Sequence, residues 1–422
     1  MNFFFKSCFV RACRLIFYLP AVAVLVGSSP SHAGPASEYV TETTGTESRL
    51  LLPASDFKSS AFAGSTYFYD SNTTQQATGP GSSVFAFDYG LAITKGNEAS
   101  RGIFGGVDYA GNSFIYDDGA ARAGRDPFEH KLDANLGVNG GKTSIRFNTT
   151  YSRNNGNSID YDRVSRESRR AQSNDYLLGL SVVRTLPHGS LEGGFDYAMR
   201  NFDTGTLLND ENSWNGDLAW FFKPGFAPKT SLGVGLGFGE DKFARNSDRV
   251  FYSPSLRMRY RLSAKTQLHS SVGYEFRNAE AIGSIDNDTP VFETGLSWQP
   301  SNRTGFDFRF YKEVRGSYSN VGEEVGTTGV SLKLNQELPG EFRLGSSVGF
   351  ENADYVSTIA GPAATRDDNF FRLSLDLSHP LRLTDKLGGD WSLFYSCNNN
   401  DSNLAQASFD QSIVGMRVGL AY

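Results

Sequence analysis

Three arginines stand at alternate positions in one short stretch of the chain, Arg257, Arg259 and Arg261. Successive side chains of a β-strand point to opposite faces, so this spacing places the three guanidinium groups on one face of a strand. Such a basic ladder has the chemistry to guide an anionic solute along a wall. The alternative is a lattice of ion pairs, in which acids on neighbouring strands, Glu275 and Glu293, neutralise the arginines.

Six arginines are candidates for lining such a wall, because each takes the polar position in a segment of alternating polar and apolar residues. They are Arg257, Arg259, Arg261, Arg277, Arg309 and Arg372. An Arg or Lys side chain at the mid-depth of a bilayer costs about 2–4 kcal/mol when it faces hydrocarbon. We therefore expect these side chains to face an interior that contains water, protein partners or both.

Other residue types give catalysis little support. Four histidines follow the first 33 residues, and none falls in a recognisable Ser/His/acid arrangement. No glycine-rich phosphate loop and no Cys/His metal spacing occur. We expect no enzyme activity, no cofactor and no metal site. The run from Asn398 to Asp401 is interpreted as a polar turn, with a calcium-binding tip as the alternative.

The amino terminus predicts export from the cytoplasm. Basic residues precede an apolar run at 15–26, and Ser31-His32-Ala33 supplies a small-x-small cleavage site. This order is typical of a secretory signal peptide cleaved after Ala33, the alternative being an uncleaved anchor. The predicted organisation is a signal peptide at 1–33, a periplasmic lead-in at 34–58 and one domain at 59–422. A net charge of −6 argues against a nucleic-acid partner.

The segments that must position the arginines recur through the predicted domain. In one of them, Phe371, Leu373, Leu375 and Leu377 alternate with small or charged residues. Segments of this kind start about every 40 residues and returning segments fit between them, weakest at 61–69 and 101–109. The pattern predicts an all-β fold: a transmembrane, antiparallel, up-and-down β-barrel of about eighteen strands.

The connections between these segments are predicted to alternate strictly between short turns and longer polar loops, as periplasmic turns and extracellular loops do in such barrels. The predicted loops are 110–129, 153–173, 203–213, 240–249, 279–289 and 355–369. The loop 153–173 includes Arg163, Arg166, Arg169 and Arg170. It is expected to fold inward as a constriction, to lie against lipopolysaccharide phosphates, or to be a solvated surface loop.

The carboxy-terminal segment ends the alternation on an aromatic residue. Val414, Met416, Val418, Leu420 and Tyr422 are apolar at every second position. We interpret Val418, Leu420 and Tyr422 as an assembly signal for the barrel-assembly machinery. The segment is predicted to pair with the strand near Trp391 and with the first strand, since closure removes unpaired strand edges.

Two stretches resemble a known family. Tyr69-Asp70-Ser71-Asn72 is similar to the Tyr-Asp-Asp-Asn element of the outer-membrane β-barrel porin-2-like family, and Gly295 to Thr304 (GLSWQPSNRT) resembles its repeated strand–turn–strand unit. The resemblance implies an outer-membrane barrel associated with exopolysaccharide production or export. It brings no catalytic residues with it.

These observations predict a channel that passes polar solutes or a secreted polysaccharide across the bacterial outer membrane. Outer-membrane lipid and lipopolysaccharide would surround it. The alternative is a non-transporting barrel that acts as a surface scaffold or adhesin through its extracellular loops.

Overall fold

A computed structural model describes residues 57–96, 101–119, 126–154, 171–203, 208–244, 248–279, 288–317, 323–357, 366–384 and 387–422. The predicted signal peptide and residues 34–56 of the predicted lead-in lie outside these residues, as does most of the predicted loop 153–173. The first strand begins at Phe57, inside the last part of the predicted lead-in.

Eighteen strands form one sheet, and within the described ranges the only other elements are two 3-10 turns, Pro339–Glu341 and Ala405–Ala407. No helix in the same ranges is long and apolar enough to cross a membrane. The strands are β1 Phe57–Asp70, β2 Ser82–Lys95, β3 Gly102–Tyr116, β4 Phe128–Asn139, β5 Thr143–Asn154, β6 Ser173–Leu186, β7 Gly189–Phe202, β8 Glu211–Phe222, β9 Thr230–Phe243, β10 Arg249–Ser263, β11 Thr266–Ala279, β12 Thr289–Ser301, β13 Thr304–Gly316, β14 Glu323–Glu337, β15 Arg343–Ser357, β16 Arg366–Arg382, β17 Gly388–Ser402 and β18 Phe409–Ala421.

The sheet closes on itself. Every strand pairs in antiparallel fashion with its neighbours in sequence, and β18 also pairs with β1. Trp391 of β17 lies opposite Val418, and Tyr67 of β1 lies opposite Met416. Beyond the last strand, the backbone of Tyr422 exchanges two hydrogen bonds with that of Ala61. The predicted eighteen-stranded antiparallel barrel and its closure are confirmed.

Connections after even-numbered strands lie at one end of the barrel, here called the turn side, and those after odd-numbered strands at the other, the loop side. The predicted strict alternation of lengths is wrong at β9. The turn-side connection 223–229 is longer than the loop-side connection 244–248, because β9 and β10 extend into the predicted loop 240–249. The predicted turn from Asn398 to Asp401 is likewise part of β17.

Contacts between strands that are not neighbours identify the inner face. Arg259 of β10 reaches Glu192 of β7, three strand positions away. Neighbouring strands lie about 4.8 Å apart, so the two strands are separated by about 14 Å along the wall. Their side chains meet because they converge on the concave side. The opposite face of β10 carries Leu256, which is 70% exposed, and it is the outer face.

The same register assigns the faces of β16. Phe371 and Leu373 lie opposite Phe350 and Val348, which are exposed apolar residues of the outer face. Arg372, Ser374 and Asp376 take the alternate positions and therefore point to the inner face. This placement agrees with the facing predicted for the strand.

The inner face is packed unevenly along the barrel axis. On the loop side, Phe68, Val84 and Ile413 form part of an apolar cluster and are at most 2% exposed. On the turn side, the side chains of Arg259 and His269 remain 52% and 54% exposed. The inner wall is therefore largely covered towards the loops and open to solvent towards the turns.

A buried glutamine ties the closing strands together on the loop side. Gln411 of β18 is 1% exposed, and its Nε2 donates to the two carboxylate oxygens of Asp70 at 3.0 and 2.9 Å. Its Oε1 accepts from Asn398 of β17 at 3.1 Å and from Gln75, in the β1–β2 connection, at 3.3 Å. One side chain thus links β1, β17, β18 and a loop.

We predict that Gln411→Ala lowers the free energy of unfolding by about 1–3 kcal/mol, because the buried carboxylate of Asp70 loses its hydrogen bonds from the side-chain amide. The measurement is the urea midpoint followed by heat-modifiable gel mobility. Gln267→Ala, at an exposed inner-face position of β11, is the matched control and is expected to unfold like the parent. Equal midpoints for the two variants would contradict the linking role of Gln411.

Candidate functional site: the arginine-bearing inner wall

The three alternating arginines project from the inner face of β10 onto a lane of glycines. The inner-facing positions of the adjacent strand β9 are occupied by Gly233, Gly235, Gly237 and Gly239, here called the glycine lane. A Cβ atom at Gly235 would overlap the guanidinium of Arg257. Because these positions carry no side chains, arginines of β10 can lie flat across β9 and reach the strands beyond it.

Arg257 crosses the lane to an acid of β8. Its Nη1 donates to Oδ1 of Asp217 at 2.9 Å and its Nη2 to Oδ2 at 2.5 Å, while Nε donates to Ser255 Oγ at 3.0 Å. The arginine side chain is 15% exposed and the aspartate 32%. A two-point pair of this kind fixes the orientation of the guanidinium as well as its charge.

Arg259 reaches one strand further. It donates to the two carboxylate oxygens of Glu192 on β7 at 2.6 and 2.7 Å, and Ser190 Oγ donates to the same carboxylate at 2.9 Å. On the way its Cζ lies 3.9 Å from the centre of the Phe221 ring. Stacking holds the guanidinium against the wall. One edge of it still faces solvent.

Arg261 is different from the other two. Its side chain is exposed near the turn side, and within the described ranges no carboxylate forms an ion pair with it. Its backbone N–H donates to the carbonyl of Lys229 at 2.9 Å. The wall therefore grades from a neutralised, partly buried arginine to a solvated cation within five residues of one strand.

The acids proposed from the sequence as partners of these arginines serve other cations. Glu275 accepts from Arg277 at 2.5 Å, and Glu293 accepts from Arg309 at 3.0 Å and lies 3.4 Å from His269. The pairing of Arg257 and Arg259 with Glu275 and Glu293 is wrong. The physical reason is the glycine lane, which opens the route to β8 and β7.

The other three candidate arginines also lie on the inner face, in different surroundings. Arg277 is 4% exposed and donates to Asp241 and to the carbonyl of Val314 at 2.9 Å each. It therefore connects β11 with β9 and β13 on the loop side. Arg309 lies over the ring of Tyr311 at 4.4 Å. Arg372 is half-buried on β16. Whether any of the six lines a conducting path remains a prediction.

Further charged pairs stiffen the loop side. Arg249 of β10 donates to Glu324 of β14 at 2.5 Å, and both side chains are at most 1% exposed. Arg153, at the end of β5, makes two hydrogen bonds of 2.6 Å to Asp203 beyond the end of β7. These bonds hold the pKa of the Asp203 carboxyl below its ordinary value.

The residues of the predicted assembly signal lie at the closing edge. Val418 and Leu420 point outward from β18, and Tyr422 is 60% exposed at the turn side. Their role in assembly stays a prediction.

In the part of the chain that the structure describes, no three His, Cys, Asp or Glu side chains are grouped so that they could hold a metal ion. Arg163, Arg166, Arg169 and Arg170 of the predicted loop 153–173 lie outside that part.

No protein-family model and no curated protein matches this chain. Solved structures with a similar trace include OccK2 (OpdF) of Pseudomonas aeruginosa in complex with glucuronate, at 12% identity and a TM-score of 0.45, covering 87% of this chain and 98% of that chain. OpdK of Pseudomonas aeruginosa with vanillate has 13% identity and a TM-score of 0.43, covering 86% and 99%. A BenF-like porin from Pseudomonas fluorescens Pf-5 has 10% identity and a TM-score of 0.44, covering 87% and 99%. Likeness at this level says nothing about what this chain binds.

The glycine lane yields a prediction about Arg257. Gly235→Ala is expected to displace its guanidinium from Asp217, so that phenylglyoxal modifies Arg257 faster than in the parent, as measured by peptide mass spectrometry. The free energy of unfolding should fall by no more than about 2 kcal/mol, since replacing glycine offsets part of the lost pair.

Gly237→Ala is the matched control, because a Cβ there meets Ser253 at an ordinary 3.6 Å. Its Arg257 is expected to react at the parental rate. An unchanged rate in Gly235→Ala as well would show that the arginine does not depend on the lane.

Proposed function

We propose that this protein is a channel of the bacterial outer membrane that passes small polar solutes. The observation that carries the proposal is the division of the closed barrel into an apolar outer face and an inner face with solvated charges. Support comes from each face separately.

The outer face has the character of a lipid-facing surface. Large apolar side chains are exposed on it all the way round the barrel, for example Leu91, Leu136, Trp220, Leu256 and Val272. A closed barrel leaves no strand edge unpaired, which is the condition for a sheet to sit in hydrocarbon. The predicted signal peptide, cleaved after Ala33, would bring such a barrel to the periplasm and from there to the outer membrane.

The inner face supports an aqueous path. Arg259, Arg261, His269 and Lys333 are exposed there on the turn side. Barrels of 16–18 strands are wide enough to leave a water-filled channel. The charged groups of Arg259, Arg261 and Lys333 favour anions over cations as passing solutes.

Two further hypotheses remain from the sequence. The family resemblance implies passage of a secreted polysaccharide, and a closed lumen would suit a surface scaffold or adhesin. No feature of the described residues favours either over the passage of small solutes. Both are separated from the proposal by the same experiment.

The test is single-channel recording of the purified protein in a planar bilayer. Discrete conductance steps in simple salt, with a reversal potential that favours anions under a salt gradient, are expected. Correctly folded protein without conductance steps would overturn the proposal and leave the scaffold hypothesis. Steps blocked only by added glycan would support polysaccharide passage.

The grading of the arginines predicts different consequences for two single substitutions. Arg261→Gln is expected to shift the reversal potential towards cations without changing stability, because it removes a solvated charge. Arg257→Gln is expected to lower the free energy of unfolding by about 1–3 kcal/mol, because Asp217 loses its partner.

The double variant Arg257→Gln/Asp217→Asn should recover part of that loss, which a double-mutant cycle measures directly. Arg184→Gln, at an exposed outer-face position, controls for net charge. If Arg257→Gln were as stable as Arg261→Gln, the pair across the glycine lane would have no structural role.

A further inference from the structure

The turn side of the barrel is basic although the chain as a whole carries a net charge of −6. Among the described residues of the turn-side connections, Glu341 is the only acidic residue. The basic residues there are Arg101, Lys142, Lys223, Lys229, Lys265 and Arg303. In the described parts of the loop-side connections the charged residues are acidic: Asp117, Asp118, Asp126, Asp203, Asp210, Asp248 and Asp288. The described residues of the connections at the two ends are therefore opposite in charge.

Four of the turn-side cations form one patch. Lys223, Lys229, Lys265 and Arg303, here called the basic rim patch, lie on three consecutive turns, since strands β8 to β13 are neighbours. Lys229 Nζ donates to the carbonyl of Leu262 at 3.3 Å and Lys265 Nζ to that of Pro300 at 3.0 Å, so each lysine leans onto the next hairpin. Within the described ranges none of the four forms an ion pair with a carboxylate, and all four are exposed.

An apolar groove opens beside this patch on the outer face. A cavity of about 520 Å³ lies between the β8–β9 turn and β10, lined by Ala227, Pro228, Lys229, Thr230, Met258 and Tyr260. Phe226, at the tip of the same turn, is 90% exposed. Cations beside an exposed aromatic residue and an apolar surface are the combination that binds at the boundary of headgroups and acyl chains.

Two tryptophans mark the depth of this boundary. Trp220 of β8 and Trp298 of β12 point outward just inside the turns and are 50% and 45% exposed. Tryptophan rings concentrate where hydrocarbon meets headgroups. The basic rim patch lies on the turn side of these rings, at the level where phosphate groups are found, and the groove lies beside them.

We propose that the basic rim patch and its groove form a binding site for an anionic phospholipid of the leaflet on the turn side. One acyl chain occupies the groove along Met258 and Tyr260, and the phosphate lies between Lys229 and Lys265. The site rests on the proposed membrane location. It does not require that the barrel conducts.

The apolar part of the site favours a lipid over a soluble acidic protein. The groove opens on the outer face, beside residues such as Leu262 that are exposed and apolar. A soluble acidic segment would match the four cations but would leave the groove and Phe226 uncovered. A phospholipid matches both parts at once.

The test is native mass spectrometry of the full chain, released from detergent micelles and titrated with phosphatidylglycerol or with phosphatidylcholine of the same acyl chains. Tighter binding of phosphatidylglycerol is expected. Lys229→Gln/Lys265→Gln should weaken it about 25-fold, or about fivefold for each cation removed. Arg101→Gln/Lys142→Gln removes the same charge elsewhere on the turn side and is expected to bind like the parent. Heat-modifiable gel mobility confirms that each variant is folded.

Four results would overturn the proposal. Equal binding of the two lipids would remove the role of charge, and equal loss in the control variant would remove the role of position. Displacement of phosphatidylglycerol by millimolar glycerol phosphate would indicate a site for free phosphate. Binding of a poly-glutamate peptide, in place of lipid and with the same dependence on Lys229 and Lys265, would indicate an acidic protein partner. Because no current is measured, failure here is distinct from failure of the proposed channel.

Discussion

The pairing of β18 with β1 is the constraint on which the rest of this structure depends. Backbone N–H and C=O groups in hydrocarbon have no water to bond, so a sheet in a membrane has to be continuous around its circumference. Once it is closed, every side chain is assigned to one of two compartments by parity alone. The inner compartment is then the place where arginines and carboxylates are brought together. Gln411 adds a side-chain link at this seam, where the first and last strands of a long chain have to find each other.

The pairs on the inner wall divide the arginines by exposure. Arg257 is held by Asp217 and largely covered, Arg259 is held by Glu192 with one edge in solvent, and Arg261 is solvated. Breaking a covered pair strands a carboxylate, whereas removing a solvated cation changes only the local potential. Arg257 and Arg259 are therefore ion-paired, though not with the acids suggested by the sequence, and the basic-ladder hypothesis stays a prediction that applies best to Arg261.

The fold could be predicted because the apolar residues of the outer face recur at every second position of each strand. Along β16, Phe371, Leu373, Leu375 and Leu377 all point to the same face, and this alternation is visible in a single sequence. The ends of the strands carry no such signal. Asn398 and Asn400 point inward and are 1% exposed, yet the run from Asn398 to Asp401 is polar on both faces and looks like a turn.

The partners of Arg257 and Arg259 could not be predicted from this alternation. Asp217 and Glu192 are 40 and 67 residues away from Arg257 and Arg259 in sequence. Antiparallel pairing in up-and-down order suggests acids on the strands that follow, Glu275 of β11 and Glu293 of β12. The signal that points the other way is the run of alternate glycines in β9, which has meaning only when the strand beside it carries long side chains.

The glycine lane also affects how far the arginines project into the lumen. A guanidinium that stood upright from the wall would point into the lumen, whereas one that lies across β9 stays close to the wall. The space that Arg257 and Arg259 occupy along the wall is therefore left by four residues without side chains, Gly233, Gly235, Gly237 and Gly239. Bulk added at Gly235 would take up space inside the barrel twice, by its own volume and by turning Arg257 inward. The strand that contributes no charge to the lane thus determines where the charges of the next strand lie.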